Sequence, residues 1–193
     1  MSDTADLIPP GPLTADEFLA WQEERASEGR FELSSGAVVE MQAERTQHAG
    51  AKFSISLQLG NQLGLEGPCR PFLDQMAIKL PNDDVYEPDA FVRCGASLGP
   101  DVLYVTDPVL IFEVTSPSTS RIDLSVKRVA YFQAPSVQHV VTVALKERMV
   151  IHDQRGDAPD RLSTTILSGG TRRFDPPGVE IDFDAVFAAA ESV

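Results

Sequence analysis

Cysteine, histidine and tryptophan are scarce in this chain: two, three and one among 193 residues. Cys69 and Cys94 lie far apart and form no CxxC, so reduced structural thiols are the expected state. His48, His139 and His152 form neither an HExxH nor a Cys/His cluster, which argues against a zinc site. No apolar run approaches the roughly 18 residues that a membrane-spanning helix needs. Positive charge is short as well, with 16 Lys and Arg against 29 Asp and Glu, a net charge of −13. That balance argues against a broad basic surface for a polyanion. A local basic patch or a metal ion is the route left open.

The 42% hydrophobic and 23% charged composition is that of an ordinary globular domain. The length suits one compact domain with a sizeable core. "MSDTADLIPPGP" is acidic and proline-rich, without the basic and apolar regions of a signal peptide. Residues 1–12 therefore read as a flexible leader, residues 13–193 as a single domain, and a cytoplasmic location as the default. "LTADEFLAWQEE" opens on Thr14 and Glu17, a capping box for a short helix. "RFELSSGAVVEM" reads as two short strands around a turn in which Gly36 adopts positive φ. "TQHAGAKFSISLQLGNQL" fits both a strand alternation and a helical face through Ala49, Phe53, Leu57 and Leu59–Leu63. Its length and a Thr46 cap favour the helix.

Further strands are expected in "RPFLDQMAIKL" and "EPDAFVR", and "DPVLIFEV" is the strongest candidate for a central one. After a turn at Ser116-Pro117, Asp123 caps a helix with Val126, Val129 and Ala130 inward, ending before Pro135. "QHVVTVAL", "RMVIHDQ" and "RLSTTIL" read as a meander, and "FDAVFAAA" as a closing helix. Helices, a mixed sheet and one helix crossing after the central strand make an α/β or α+β fold with one core.

Four polar positions stand out against this frame. Glu113 ends an apolar strand, where an ionised carboxylate left uncompensated costs several kcal/mol. Asp89 precedes a second apolar strand, and carboxylates on neighbouring strands make a hard-oxygen site suited to Mg²⁺ or Mn²⁺. Lys127 lies in the helix that follows and is able to point back at the same spot, balancing charge on a phosphate. Glu32 sits in the early hairpin. Taken singly, each has a plainer account: Asp89 a turn aspartate, Glu113 an edge residue, Lys127 an i,i+4 partner of Asp123, Glu32 an ordinary hairpin glutamate. His48 alone reads more readily as a capping or core histidine.

Read together, "FELSSGAVVEM", "EPDAFV", "FEVTSPSTSRIDLSVKRVAYF" and "PPGVEIDFDAVF" resemble, in order and spacing, the Uma2 family of restriction-endonuclease-like proteins with the PD-(D/E)XK fold. The resemblance runs from about Leu13 to Phe187. It implies an α/β fold with a restriction-endonuclease-like mixed central sheet flanked by helices, and additional antiparallel strands. It further implies that Asp89 and Glu113 hold Mg²⁺ or Mn²⁺, with Glu32 completing the site. The usual D/E-x-K lysine falls at Thr115, and its place is taken by Lys127 in the next helix. Asp123 and Tyr131 match positions that shape the lysine's surroundings, and His48 matches a histidine found after the hairpin. Two departures are Ser35, where the family has aspartate or asparagine, and "HVVTVAL" in place of an aromatic-rich strand.

The activity so implied is hydrolysis of phosphodiester bonds in DNA by a metal-dependent endonuclease, acting as a homodimer. Two other readings stand beside it. One is a binding or assembly module that keeps the fold without catalysis, which the net charge and the lack of an Arg/Lys stripe favour. The other is a metal-dependent phosphodiesterase for a small substrate.

Overall fold

The computed structural model describes residues 8–25, 27–64, 66–74, 76–115, 121–158 and 161–192. The Ser116-Pro117 turn lies outside the described residues, as does the side chain of Asp123. In chain order the first elements are α1 (Ala15–Glu24), β1 (Phe31–Ser34), β2 (Ala37–Glu40) and α2 (Thr46–Leu63). There follow β3 (Cys69–Leu73), β4 (Ala77–Lys79), β5 (Val85–Tyr86), β6 (Ala90–Cys94), β7 (Tyr104–Val105) and β8 (Pro108–Thr115). The rest are α3 (Arg121–Tyr131), β9 (His139–Ala144), β10 (Met149–Arg155), β11 (Leu162–Leu167), β12 (Thr171–Phe174), β13 (Val179–Asp182) and α4 (Phe183–Glu191).

A mixed six-stranded sheet runs in the order β11-β10-β9-β8-β6-β3. Strand β8 pairs antiparallel with β6 and parallel with β9, so α3 is the crossover between two parallel neighbours. The expected meander is present as β9, β10 and β11. Because strand side chains alternate between faces, Phe112 and Val114 join the core under α2 and α4. Ile111 faces the other way, into the cluster with Ala130 and Tyr131 of α3. Glu113 is therefore on the α3 side by period alone.

A second sheet, β2-β1-β5-β4-β7, packs α1 against Phe31, Leu33 and Val85. The hairpin turn carries Gly36 at φ +78° as expected, and Ser35 at +51°. The second value gives the reason for the asparagine or aspartate of the family pattern at this position. Asparagine and aspartate tolerate the left-handed region better than serine. Here Ser35 is held by its N–H donating to Asp84 Oδ1 at 2.6 Å.

Four expectations need correcting. Thr46 is the first helical residue of α2 and Arg45 is the N-cap, with no side-chain capping bond. The buried face of α2 is Ala51, Ile55 and Leu59, while Phe53 and Leu57 are 68% and 50% exposed. In α3, Ala130 is inward but Val126 and Val129 face solvent. Cys69 and Cys94 are not free thiols: they face each other across the β3–β6 pair and form a disulfide. Their separation of 25 residues in sequence carried no hint of that register. Strand β9, the family-divergent "HVVTVAL" segment, is buried along its length between β8 and β10.

Candidate active site

The register of the central sheet creates the site. Ala90 of β6 lies opposite Phe112 of β8, so the residue before β6, Asp89, arrives beside Glu113. The Val114 N–H fixes Asp89 by donating to Oδ2 at 2.6 Å. Both carboxylates are at least nine-tenths buried. Glu113 belongs to a strand flanked on both sides, not to an edge facing water.

Strand β1 brings Glu32 from the second sheet, 5% exposed. Its Oε1 accepts from the Glu87 N–H at 2.9 Å and from the Lys127 ammonium at 2.9 Å. Lys127 Nζ is also 2.7 Å from Glu32 Oε2 and 3.7 Å from Glu113 Oε1. The ammonium lies over the Tyr86 ring, 5.3 Å from its centroid, a favourable setting for a cation. One helical turn on, the Tyr131 hydroxyl donates to Glu113 Oε1 at 2.5 Å. Lys127 and Tyr131 share one face of α3, as i,i+4 spacing requires. Lys127 thus reaches the position that Thr115, buried at the end of β8, does not fill.

The electrostatics follow from burial among like charges. Burial pushes the Glu113 carboxyl up to about 7, against the pull of Lys127 and with Asp89 and Glu32 adding to the rise. Burial and the neighbouring Glu113 carboxylate hold the Tyr131 hydroxyl well above its usual range. Tyr131 is therefore a donor at neutral pH.

On the other side of Asp89 stands α2. His48 Nε2 is 2.9 Å from Asp89 Oδ1, and Lys52 Nζ is 3.6 Å from the same oxygen. Burial lowers the His48 pKa, but the bond to Asp89 and its charge outweigh that and leave it raised. Lys52 also donates to Glu44 Oε1 at 2.6 Å and to Asp74. The Lys52 ammonium is likewise lowered by burial and raised, on balance, by its bonds to Asp74 and Glu44. Arg30 ties this cluster to Glu87 at 3.0 Å.

Among the described residues, Glu44, His48 and Asp89 offer one ligand atom each, all within 4.8 Å of one another. Two carboxylate oxygens and an imidazole nitrogen suit Mn²⁺, or Mg²⁺ with a preference for the oxygens. The donor set fits such an ion, and Asp89 is common to it and to the carboxylate–lysine group.

All four residues singled out in the sequence, Glu32, Asp89, Glu113 and Lys127, converge here. Glu44, Lys52 and Asp74 were missed. His48 and Lys52 are four residues apart on α2, which places them on one side of the helix, and that spacing was the available signal; Glu44 precedes the helix and had none.

The fold and site define a class: a mixed-sheet α/β domain of the nuclease type, with carboxylates and a lysine at the end of its central strands. Residues 15–187 match the model of the Uma2 family, described as "Putative restriction endonuclease", and the chain belongs to that family. It is 29% identical over 176 residues to the uncharacterized protein slr1290 of Synechocystis, covering 91% of each chain. Its fold is similar to the crystal structure of "a putative nuclease belonging to DUF820" from Anabaena variabilis. That similarity has a TM-score of 0.77 at 16% identity and covers 93% of this chain and 99% of the other.

Proposed function

We propose that this protein is a divalent-metal-dependent endonuclease that hydrolyses phosphodiester bonds in DNA. The observation that carries the reading is the Lys127 ammonium lodged between Glu32 and Glu113 in a largely buried setting, with Asp89 brought opposite Glu113 by the strand register. In this reading Asp89 and Glu113 hold Mg²⁺ or Mn²⁺, with His48 and Glu44 as donors from the α2 side. The ion, when bound, supplies an activated nucleophile and neutralises charge on the phosphate.

The residues of the chain do the rest. Lys127 directs a positive charge at the phosphate oxygens and orients the nucleophile through its N–H donors. Glu32 holds that ammonium in place with two contacts. Tyr131 donates to one Glu113 oxygen, so the other would be left to serve as a ligand when the ion binds. Asp89 is clamped by the Val114 N–H, so its other oxygen keeps a fixed direction.

The test is incubation with single- and double-stranded DNA and RNA, with and without Mn²⁺, beside Glu113→Ala and Lys127→Ala. Internal cleavage of DNA by the wild type alone, and only with metal, is the expected result. Metal-independent cleavage, or equal cleavage by both variants, overturns it. The net charge of −13, which favours a non-catalytic module as the second reading, also suits a small phosphoester as the third. Turnover of bis-p-nitrophenyl phosphate with intact nucleic acids decides for it. A homodimer belongs to the same proposal, and light scattering at micromolar protein tests it. No described helix is long and apolar enough to cross a membrane.

A further inference from the structure

Lys52 is buried in a place where a lysine needs a reason. Its side chain is 10% exposed, and it reaches three carboxylates: Glu44, Asp74 and Asp89. Two of these belong to the donor group described above. The sharing extends to single atoms, since Lys52 lies 3.6 Å from the Asp89 oxygen that His48 contacts. A lysine that merely braced the fold would have no need of that oxygen.

We propose that the Lys52 ammonium is a built-in cation that keeps the Glu44–His48–Asp89 group assembled without metal and is exchanged for the divalent ion on binding. The inference rests on the metal-dependent reading above and adds what the ion must displace. Three carboxylates gathered in a partly buried site repel one another unless a positive charge stands among them. Lys52 supplies it. An ion that took Asp89 Oδ1 and Glu44 Oε1 would stand within a few ångströms of the ammonium, and like charges so close in a low-dielectric setting repel strongly. Lys52 therefore has to release those two oxygens.

Asp74 gives it somewhere to go. Lys52 is already bonded to Asp74 Oδ2. The second oxygen, Oδ1, is buried and accepts no hydrogen bond among the described residues. Arg30 Nη2 stands 3.6 Å from that oxygen and Nη1 3.9 Å from Glu44, steadying both carboxylates through the exchange.

Isothermal titration with Mn²⁺ tests the proposal on the full chain, comparing wild type, Lys52→Met and Lys52→Met/Asp74→Asn. The double variant removes one cation and one anion together, so it remains informative if the single variant does not fold. Loss of the competing charge should lower Kd about tenfold or more in both. Lys52→Met should also melt earlier than wild type in EDTA and gain more from Mn²⁺. Folded variants that bind Mn²⁺ as weakly as wild type, or more weakly, overturn the role of Lys52 and leave the metal reading standing. A wild type that binds neither Mn²⁺ nor Mg²⁺ overturns both. Arg148→Gln, at a cation paired with Glu191, controls for overall charge. Equal tightening there would also defeat the proposal.

Discussion

Glu113→Gln should change how stability depends on pH more than it changes stability at any one pH. Glu113 ordinarily titrates at 4.5, and burial raises it to about 7 in the folded protein. A carboxyl raised on folding binds its proton more tightly in the native state between those two values. Its stabilising contribution is thus fully present below pH 4.5 and is lost as pH rises through about 7. At about 1.4 kcal/mol per pH unit, the gap amounts to roughly 3 kcal/mol. Glutamine cannot titrate, keeps the shape and still meets the Tyr131 hydroxyl. Wild type minus Glu113→Gln should therefore fall by roughly 3 kcal/mol between pH 4.5 and pH 8.

Urea unfolding in EDTA at half-unit pH steps measures that difference. Subtraction cancels His48, His139 and His152, which titrate in the same range in both proteins. A flat difference would mean that burial does not govern Glu113. A difference rising with pH would mean that Lys127 dominates and the carboxylate is already ionised in acid. Either result refutes the reasoning. Repeating the series in Mn²⁺ adds a check on ligation: an ion held by Glu113 favours its charged form, so the fall should flatten.

Lys127→Met should cost roughly 3–5 kcal/mol at pH 8, because Glu32 and Glu113 lose their shared cation in a buried setting; urea unfolding reads this. The Mn²⁺-induced rise in Tm should survive while DNA cleavage is lost. His152 is lowered to about 4, chiefly by burial and then by His139, so its contribution is full above pH 6.5 and is lost as pH falls through about 4. His152→Gln should therefore flatten the loss of Tm between pH 7 and pH 4, by up to roughly 3 kcal/mol in the wild-type-minus-variant difference. Cys69→Ser/Cys94→Ser should lose about 3 kcal/mol against oxidised wild type, from the unfolded-state entropy of the closed loop. The difference should vanish when wild type is reduced, and thiol titration of the purified protein reports which state it holds.

Much of the architecture was legible because it obeys simple periods. The capping box at Thr14 and Glu17 is present in full. The β9–β10–β11 meander follows from three strand-like runs separated by turns. The central strand was readable from "DPVLIFEV", since only a strand covered on both faces tolerates so continuous an apolar run. The disulfide was illegible because opposition of Cys69 and Cys94 is a property of register between strands, which composition does not record. Glu44, Lys52 and Asp74 were missed for a related reason: their meaning comes from converging on Asp89, 15 or more residues distant from each.

The two helices whose buried faces were misread are the two that build the site, and that coincidence has a cause. Sequence patterning assumes that the apolar stripe of a helix faces the protein. On α2 the inward side combines Ala51, Ile55 and Leu59 with His48 and Lys52. On α3 it combines Ala130 and Tyr131 with Lys127. Positions that amphipathic logic reserves for hydrophobic residues are given to groups facing Asp89, Glu113 and Glu32. Phe53, Leu57, Val126 and Val129 are left exposed in consequence. A helix whose polar residues turn inward gives up burial of its own apolar side chains, a loss of about 1.5–3 kcal/mol for each large one. Local rules are broken in this way where a site demands it. The inversion occurs on both helices, α2 towards Asp89 and α3 towards Glu32 and Glu113 on the neighbouring strands, which is the arrangement a ligand-binding cluster would require and one that stability alone does not.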